Sequence, residues 1–175
     1  MLKIENIAIF DLDGTLWDVN SHYELLNLYY KTRFWTSIIY KSFCKIFPKI
    51  GEKLRDLFFL KVSDSFIEKI NFDFNYKIVN KLEEKQNNGY TVFIVSNAPR
   101  EIIIKNAAKR LNVNYICAPI GKKLETVNKI YSYKKMYVCT DNKTDLDLVE
   151  ASSEYYIVGN KSNRSFFTKK GYNVE

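Results

Sequence analysis

The run IAIFDLDGTLWD, which begins at Ile7, constrains the fold of this chain more than any other segment. Its first residues are mostly apolar and end at Asp11, which predicts a buried strand over residues 7–11. A second carboxylate, Asp13, follows, and Gly14 gives the backbone freedom to turn there. Unpaired charges near a core are costly, and ligands of open α/β sheets bind beyond the carboxyl ends of the strands. The arrangement therefore predicts a nucleophile and an acid–base group held beside a cation.

From residue 76 onwards, strand-like apolar runs alternate with helical patterns. Strands are predicted over residues 91–97, 114–119, 136–141 and 155–158. Helices are predicted over residues 76–88, 100–111, 123–131, 145–151 and 162–170, and a short end over 172–174. Strands that alternate with helices of this size favour βα units and a parallel sheet.

The segment 17–75 is rich in aromatic residues and has a helical pattern, which Pro48 and Gly51 are expected to break into an earlier and a later part. The segment is too long for a simple crossover between two strands. It is therefore predicted to form a separate helical subdomain over the edge of the sheet where ligands bind.

The composition fits one domain, or one domain with a sizeable insertion. The chain has 175 residues, of which 46% are hydrophobic, and a formal net charge of +7. A basic balance favours anionic partners such as phosphorylated metabolites, nucleic acid or an acidic membrane surface. Because the lysines are scattered, no nucleic-acid partner is expected.

The three cysteines, Cys44, Cys117 and Cys139, show no CxxC spacing. They are interpreted as reduced core thiols of a cytoplasmic protein, with membrane association as the alternative location. Asp11 and Asp13 interrupt the stretch where a signal peptide would be apolar. No apolar run reaches the ~18 residues that a transmembrane helix needs.

Polar groups also follow later strands. Ser96 and Asn97 end the second strand, and Asp141 ends the strand VCTD, with Asp145 four residues later. The pair Lys122-Lys123 opens the helix between them. On local grounds alone, Ser96 is interpreted equally well as the N-cap of a helix. Asp141 and Asp145, taken alone, are interpreted as a surface acid and a helix cap.

The pattern Asp-x-Asp-Gly-Thr, with these groups in this order, resembles the haloacid dehalogenase (HAD) superfamily, most of whose members are magnesium-dependent phosphatases. The insertion after the first motif, and the segments SNAPRE and TDNKTDLDLVE, resemble its phosphoserine-phosphatase-like branch, subfamily IB. The resemblance implies an α/β fold, with a Rossmann-like three-layer core and a parallel sheet. Residues 1–16 and 76–175 would form this core, and 17–75 a small helical (C1-type) cap inserted after the first strand.

The resemblance also implies roles. Asp11 would attack phosphorus and form an aspartyl-phosphate. Asp13 would protonate the leaving oxygen and then activate water. Lys123 would neutralise the phosphoryl charge, since Val127 and Ile130 place it in the family-like phase relative to the buried helix face; Lys122 is the alternate.

Phosphate-binding groups are expected at Ser96, at the backbone near Leu12 and Asn97, and at Thr15. The cofactor implied is Mg²⁺, a hard cation that prefers oxygen ligands. Its expected ligands form one acidic set: Asp11, the backbone carbonyl of Asp13, Asp141 and, directly or through water, Asp145.

The predicted function is thus a magnesium-dependent phosphomonoester hydrolase that acts on a small phosphorylated metabolite. Residues 23–47 combine aromatic and basic side chains. The favoured interpretation is that helices of the cap pack on each other and on the core through the aromatic side chains. The alternative is a basic, aromatic surface that lies at a membrane interface. The alternatives are a phosphatase of a lipid- or polyprenyl-linked phosphate, a non-catalytic HAD-fold binding module and a phosphomutase. Arg33 and Arg55 are candidate cap contacts to a substrate anion. His22 is interpreted as an ordinary polar helix residue, with a place in the lining of the substrate pocket as the alternative.

Overall fold

A parallel sheet lies at the centre of the computed structural model, which describes residues 1–175. The strands are β1 (Leu2–Lys3), β2 (Asn6–Phe10), β3 (Thr91–Ser96), β4 (Asn114–Cys117), β5 (Tyr131–Ser132), β6 (Lys135–Thr140) and β7 (Glu154–Ile157). Five of them form one parallel sheet in the order β4–β3–β2–β6–β7, and β1 pairs with β5. The chain moves outward from β2 in one direction through β3 and β4, and in the other through β6 and β7. The end of β2 is therefore the switch point where ligands bind in open α/β sheets.

Nine α-helices surround this sheet. They are α1 (Ser21–Tyr29), α2 (Ile38–Ile46), α3 (Pro48–Phe59), α4 (Asp64–Ile67), α5 (Tyr76–Asn87), α6 (Glu101–Leu111), α7 (Lys123–Ile130), α8 (Leu146–Ala151) and α9 (Arg164–Lys169). The predicted α/β fold with a parallel sheet is confirmed. For each helix and strand predicted between residues 76 and 170, the predicted first and last residues lie within two residues of the observed ones. No helix has both the length and the apolar character needed to cross a membrane.

The two faces of β2 belong to different apolar clusters, because successive side chains of a strand point to opposite faces. Ala8 and Phe10 lie in a cluster that also contains side chains of α1 to α3, and Ile7 and Ile9 lie in the opposite cluster. The helices α1 to α4 thus share an apolar cluster with one face of the sheet. The division into a core and a cap stays a prediction.

The helical segment leaves and rejoins the sheet at one place. Trp17 bridges to Phe74, and the backbone N–H of Asn75 donates to the carbonyl oxygen of Leu16 over 2.8 Å. The side chain of Asn75 also donates to Asp18. Since both connections run side by side just after β2, the segment is anchored directly beside the carboxyl end of that strand.

The predicted helix break at Gly51 is wrong, because Gly51 lies inside α3. A Cβ at this position would collide with the Sγ of Cys44 in α2, so the glycine allows the two helices to approach closely. Pro48 does mark a boundary, since it is the first residue of α3, where no N–H is needed.

The interpretation of all three cysteines as core thiols is wrong for Cys117. Cys139 is buried and Cys44 is half-buried, but Cys117 is exposed. It ends β4, an edge strand that pairs only with β3, so one flank of its backbone has no neighbouring strand.

We expect Gly51→Ala to destabilise the protein by about 1–3 kcal/mol, although glycine-to-alanine changes within helices normally stabilise by about 0.5–1 kcal/mol. The added methyl group has to displace Cys44. Urea unfolding of Gly51→Ala, Cys44→Ala and the double variant would measure the coupling. Cys44→Ala should recover part of the loss, and a Gly51→Ala variant more stable than wild type would contradict the close approach.

Candidate active site

Asp11 lies directly after β2, at the switch point of the sheet, and is buried. Its backbone N–H donates to the carbonyl oxygen of Cys139 in β6, which fixes the main chain there. One carboxylate oxygen, Oδ1, accepts from the Leu12 N–H over 2.8 Å and lies 2.7 Å from Lys123 Nζ. The other oxygen, Oδ2, accepts no hydrogen bond from the protein, and Asp11 lines a cavity.

Lys123 holds two buried carboxylates together. Its Nζ lies 2.7 Å from both Asp11 Oδ1 and Asp145 Oδ2, and all three side chains are buried. Asp145 Oδ2 also accepts from Thr140 Oγ1, whereas its Oδ1 is buried without a partner. Lys122 is exposed and pairs with Glu125 on the surface, so the structure places Lys123, and not Lys122, in the cluster.

Asp13 is held by the first residue of α1. Its Oδ1 accepts from the Ser21 N–H and its Oδ2 from the Ser21 hydroxyl, each over 3.0 Å. Asn20 caps the same helix. The helix N-terminus therefore fixes the orientation of the Asp13 carboxyl group, and this role of Ser21 was not predicted.

Asp141 completes an acidic group at the ends of β2 and β6. Its Oδ2 accepts from Asn160 Nδ2 over 3.0 Å, and its backbone carbonyl accepts from Asn163. The hydroxyl of Thr15, predicted as a phosphate-binding group, lies 3.5 Å from Asp141 Oδ1. Asn160 and Asn163 were not predicted either, because asparagines in a polar loop after a strand carry no distinctive pattern.

Burial and mutual repulsion raise the pKa of three of these acids. Burial raises the pKa of Asp11 to about 6, a rise that Lys123 limits and Asp145 increases. Burial also raises the pKa of Asp13 to about 7, and that of Asp141 to about 7 with a further contribution from Asp11. Burial is thus the main cause of the raised pKa of all three acids, and a neighbouring carboxylate adds to the rise in each case.

The donor set at this edge is suited to a hard cation. No group of three or more Asp, Glu, His or Cys side chains is arranged here as metal ligands. The predicted set, however, uses the side chains of Asp11 and Asp141 with the carbonyl of Asp13, and magnesium keeps several of its waters. A Cβ at Gly14 would collide with the Asp141 carboxylate, so this carboxylate lies directly against the turn that follows Asp13. These residues fit a divalent cation bound by oxygen.

The predicted phosphate-binding residues lie near the same edge. Ser96 ends β3, is buried, and accepts from the N–H of Ala98. It is not a helix N-cap, because α6 begins at Glu101 and Arg100 precedes it. Asn97 lines the same cavity as Asp11, whereas the Leu12 N–H donates to Asp11.

A second cavity, the cap cavity, shares Asp13, Asn20 and Asn97 with the cavity that Asp11 lines and has a volume of about 460 Å³. Its wall is formed by Asp13, Asn20, His22, Arg55, Asp56, Phe59, Leu60, Asn97, Ala98, Pro99, Arg100 and Ile120. Arg55 lies 3.0 Å from Asp56, and Arg33 lines a different, exposed cavity. The expectation of an ordinary polar helix residue is wrong for His22: it is buried edge-on against Phe59, and burial lowers its pKa to about 3.

Comparison of the sequence with protein families and with curated proteins found no match. Solved structures do match. A Bordetella pertussis Tohama I protein of unknown function has a TM-score of 0.68 at 15% identity, over 98% of both chains. Phosphoserine phosphatase in its apo form has a TM-score of 0.66 at 14% identity, over 97% of this chain and 92% of that one. A HAD hydrolase (family IA, variant 3) from Entamoeba histolytica HM-1:IMSS has a TM-score of 0.57 at 12% identity, over 97% and 91%.

The chain therefore has the fold of HAD hydrolases, including that of a phosphoserine phosphatase. This confirms, for the fold, the resemblance predicted from the sequence motifs. Because each of these identities is 15% or less, the likeness shows the fold alone.

We expect Lys123→Met to cost about 3–5 kcal/mol of unfolding free energy, because it leaves two buried carboxylates without their shared cation. Lys122→Met, at the neighbouring exposed position, should change it by less than about 0.5 kcal/mol. Urea unfolding of the two variants would measure this difference. Equal stability of the two variants would contradict the bridging role of Lys123.

Proposed function

We propose that this protein is a magnesium-dependent phosphomonoesterase that acts through an aspartyl-phosphate on Asp11. The observation that carries the proposal is the state of the Asp11 carboxylate. Lys123 and the Leu12 N–H hold Oδ1, while Oδ2 accepts no hydrogen bond from the protein, at the switch point of a HAD-like fold. An anchored carboxylate with one unengaged oxygen is suited to nucleophilic attack.

In the first step, Asp11 Oδ2 attacks phosphorus in line with the leaving oxygen, so that a new P–O bond forms as the ester P–O bond breaks. Asp13 gives its proton to the leaving oxygen. Its pKa of about 7 keeps a proton available near neutrality. The ammonium group of Lys123, 2.7 Å from Asp11, offsets charge on the transferred group.

In the second step, the Asp13 carboxylate accepts a proton from water, whose oxygen attacks phosphorus and releases phosphate from Asp11. Ser21 keeps Asp13 oriented in both steps. A divalent cation bound by Asp11, Asp141 and the Asp13 carbonyl would supply charge neutralisation at the phosphoryl oxygens. Asp145 holds Lys123 in position. It would also bind the cation, directly or through water.

The phosphoryl oxygens need hydrogen-bond donors beside Lys123. We assign this role to Ser96 and Asn97. Of the other predicted members, the Leu12 N–H donates to Asp11 and the Thr15 hydroxyl to Asp141, so each would have to exchange its acceptor for a phosphoryl oxygen. The hydroxyl oxygen of Ser96 accepts from the N–H of Ala98, and its hydroxyl proton is donated to no protein atom. This proton is therefore free to be donated to a phosphoryl oxygen.

The proposed substrate is a small phosphorylated metabolite whose leaving group enters the cap cavity. A cavity of about 460 Å³ suits a small molecule. Arg55 in its wall favours a leaving group that carries a negative charge. A lipid- or polyprenyl-linked phosphomonoester is the second candidate, favoured by apolar side chains exposed on α2 and α3. A cytoplasmic location stays a prediction.

The central test is phosphate release from an aryl phosphate and a panel of phosphometabolites, with and without magnesium. Asp11→Asn should lower the rate by at least about a thousandfold, because it removes the nucleophile. The matched control is Asp147→Asn, since Asp147 accepts only from the N–H of its neighbour Leu148. Magnesium-dependent release that survives Asp11→Asn would contradict the mechanism, and phosphoryl transfer without net release would indicate a mutase.

Arg55→Met should raise KM for substrates with an anionic leaving group by about tenfold or more, because one charge-assisted contact is lost. It should change KM little for an aryl phosphate whose aryl group carries no charge. Arg33→Met serves as the control, since Arg33 lies outside the cap cavity. Steady-state kinetics on both substrate types would measure the split. An equal effect of the two arginine changes would refute the assignment.

A further inference from the structure

The outer surface of helices α2 and α3 is apolar in a way that the fold does not require. Ile38, Ile39 and Ile46 in α2 are 83%, 75% and 70% exposed. Phe47, between the helices, and Ile50 in α3 are about half exposed. Single exposed apolar residues are normal on a protein surface, but a cluster on one helical hairpin indicates an interaction site.

The inner surface of the same hairpin already provides its packing. Tyr40 is buried and donates its hydroxyl proton to the Gly51 carbonyl over 2.8 Å. Phe59 is buried in the cluster that reaches the sheet. The exposed isoleucines therefore contribute little to folding, and their exposure is left to be explained by something outside the chain.

Charge gives the surface a chemical preference. Residues 25–51 contain five basic and no acidic residues, so this segment carries five of the seven net positive charges of the chain. Lys41, Lys45 and Lys49 are exposed and form no ion pair. Each lies within two residues of one of the exposed isoleucines in sequence.

We propose that the surface formed by Ile38, Ile39, Ile46, Phe47 and Ile50 with Lys41, Lys45 and Lys49, the hairpin surface, docks on an anionic lipid bilayer. Apolar side chains enter the boundary between headgroups and acyl chains, while the lysines meet lipid phosphates. A second copy of the chain is a poorer occupant, because a twofold interface through this surface would bring together two patches that both carry positive charge.

Docking on this surface would be linked to the cap cavity through α3. The outer side of α3 carries Ile50, and its inner side carries Arg55 and Phe59, which line the cavity beside Asp13. The proposal concerns where the protein is held and does not depend on the proposed hydrolysis of a soluble phosphate.

The test is co-sedimentation of the full chain with vesicles of phosphatidylcholine alone, or of phosphatidylcholine with an equal amount of phosphatidylglycerol. Wild type should bind only the anionic vesicles, and added salt should weaken binding. Ile46→Gln/Ile50→Gln and Lys41→Gln/Lys45→Gln should each weaken it by about tenfold or more.

Matched controls come from exposed positions elsewhere. Lys105→Gln/Lys109→Gln removes the same charge at the same spacing from α6, and Leu2→Gln/Tyr76→Gln removes exposed apolar side chains far along the chain from the hairpin. Both should bind like wild type. All variants should retain the circular dichroism spectrum and the hydrolysis of a soluble aryl phosphate, which separates failure of docking from failure of catalysis.

Three results would overturn the proposal. These are no sedimentation of wild type with anionic vesicles, equal binding to both vesicle types, and equal binding by hairpin and control variants. A change in oligomeric state of Ile46→Gln/Ile50→Gln without vesicles would also overturn it, by identifying the surface as an interface between copies of the chain.

Discussion

The buried ammonium group of Lys123 is the interaction on which the candidate site depends. It lies 2.7 Å from both Asp11 and Asp145, which brings the start of α7, the end of β2 and the turn after β6 together at one edge of the sheet. Two buried carboxylates without a cation would repel each other and lose their hydration. The lysine therefore allows the sheet to end in several acids. It also leaves Asp11 Oδ2 without a protein donor, which is the feature that a nucleophile needs.

The helices between β2 and α5 complete this edge and do more than cover it. Ser21, at the start of α1, holds both oxygens of Asp13. On the other side, Arg100 at the start of α6 donates to the carbonyl oxygens of Phe59 and Leu60, where α3 ends. A cation at a helix C-terminus interacts favourably with the unpaired carbonyls there. The orientation of the Asp13 carboxyl group and the wall of the cap cavity thus depend on contacts between the helical segment and the rest of the chain.

Sequence reasoning identified the sheet and most of the acidic cluster, because a buried parallel strand is an apolar run and a polar residue at its end stands out. It also favoured Lys123 over Lys122 from the helix phase. It missed Ser21, Asn160 and Asn163, since short polar residues that orient a carboxylate look the same in sequence as those that face water. Gly51 and Cys117 were misjudged for a related reason: their environments depend on a neighbouring helix and on the position of β4 at the sheet edge.

The chain as a whole is positively charged, but its candidate site is rich in acidic side chains. The chain has a net charge of +7, yet Asp11, Asp13, Asp141 and Asp145 place four carboxyl groups at one edge of the sheet, where Lys123 contacts only Asp11 and Asp145. A phosphate group is attracted by the basic exterior, but the ionised carboxylates of this cluster repel it. Repulsion of this kind is overcome only by added positive charge at the cluster or by protonation of an acid. A divalent cation bound by Asp11 and Asp141, as in the proposed mechanism, would lower this repulsion, and burial, which raises the pKa of Asp13 to about 7, favours the protonated form of that acid.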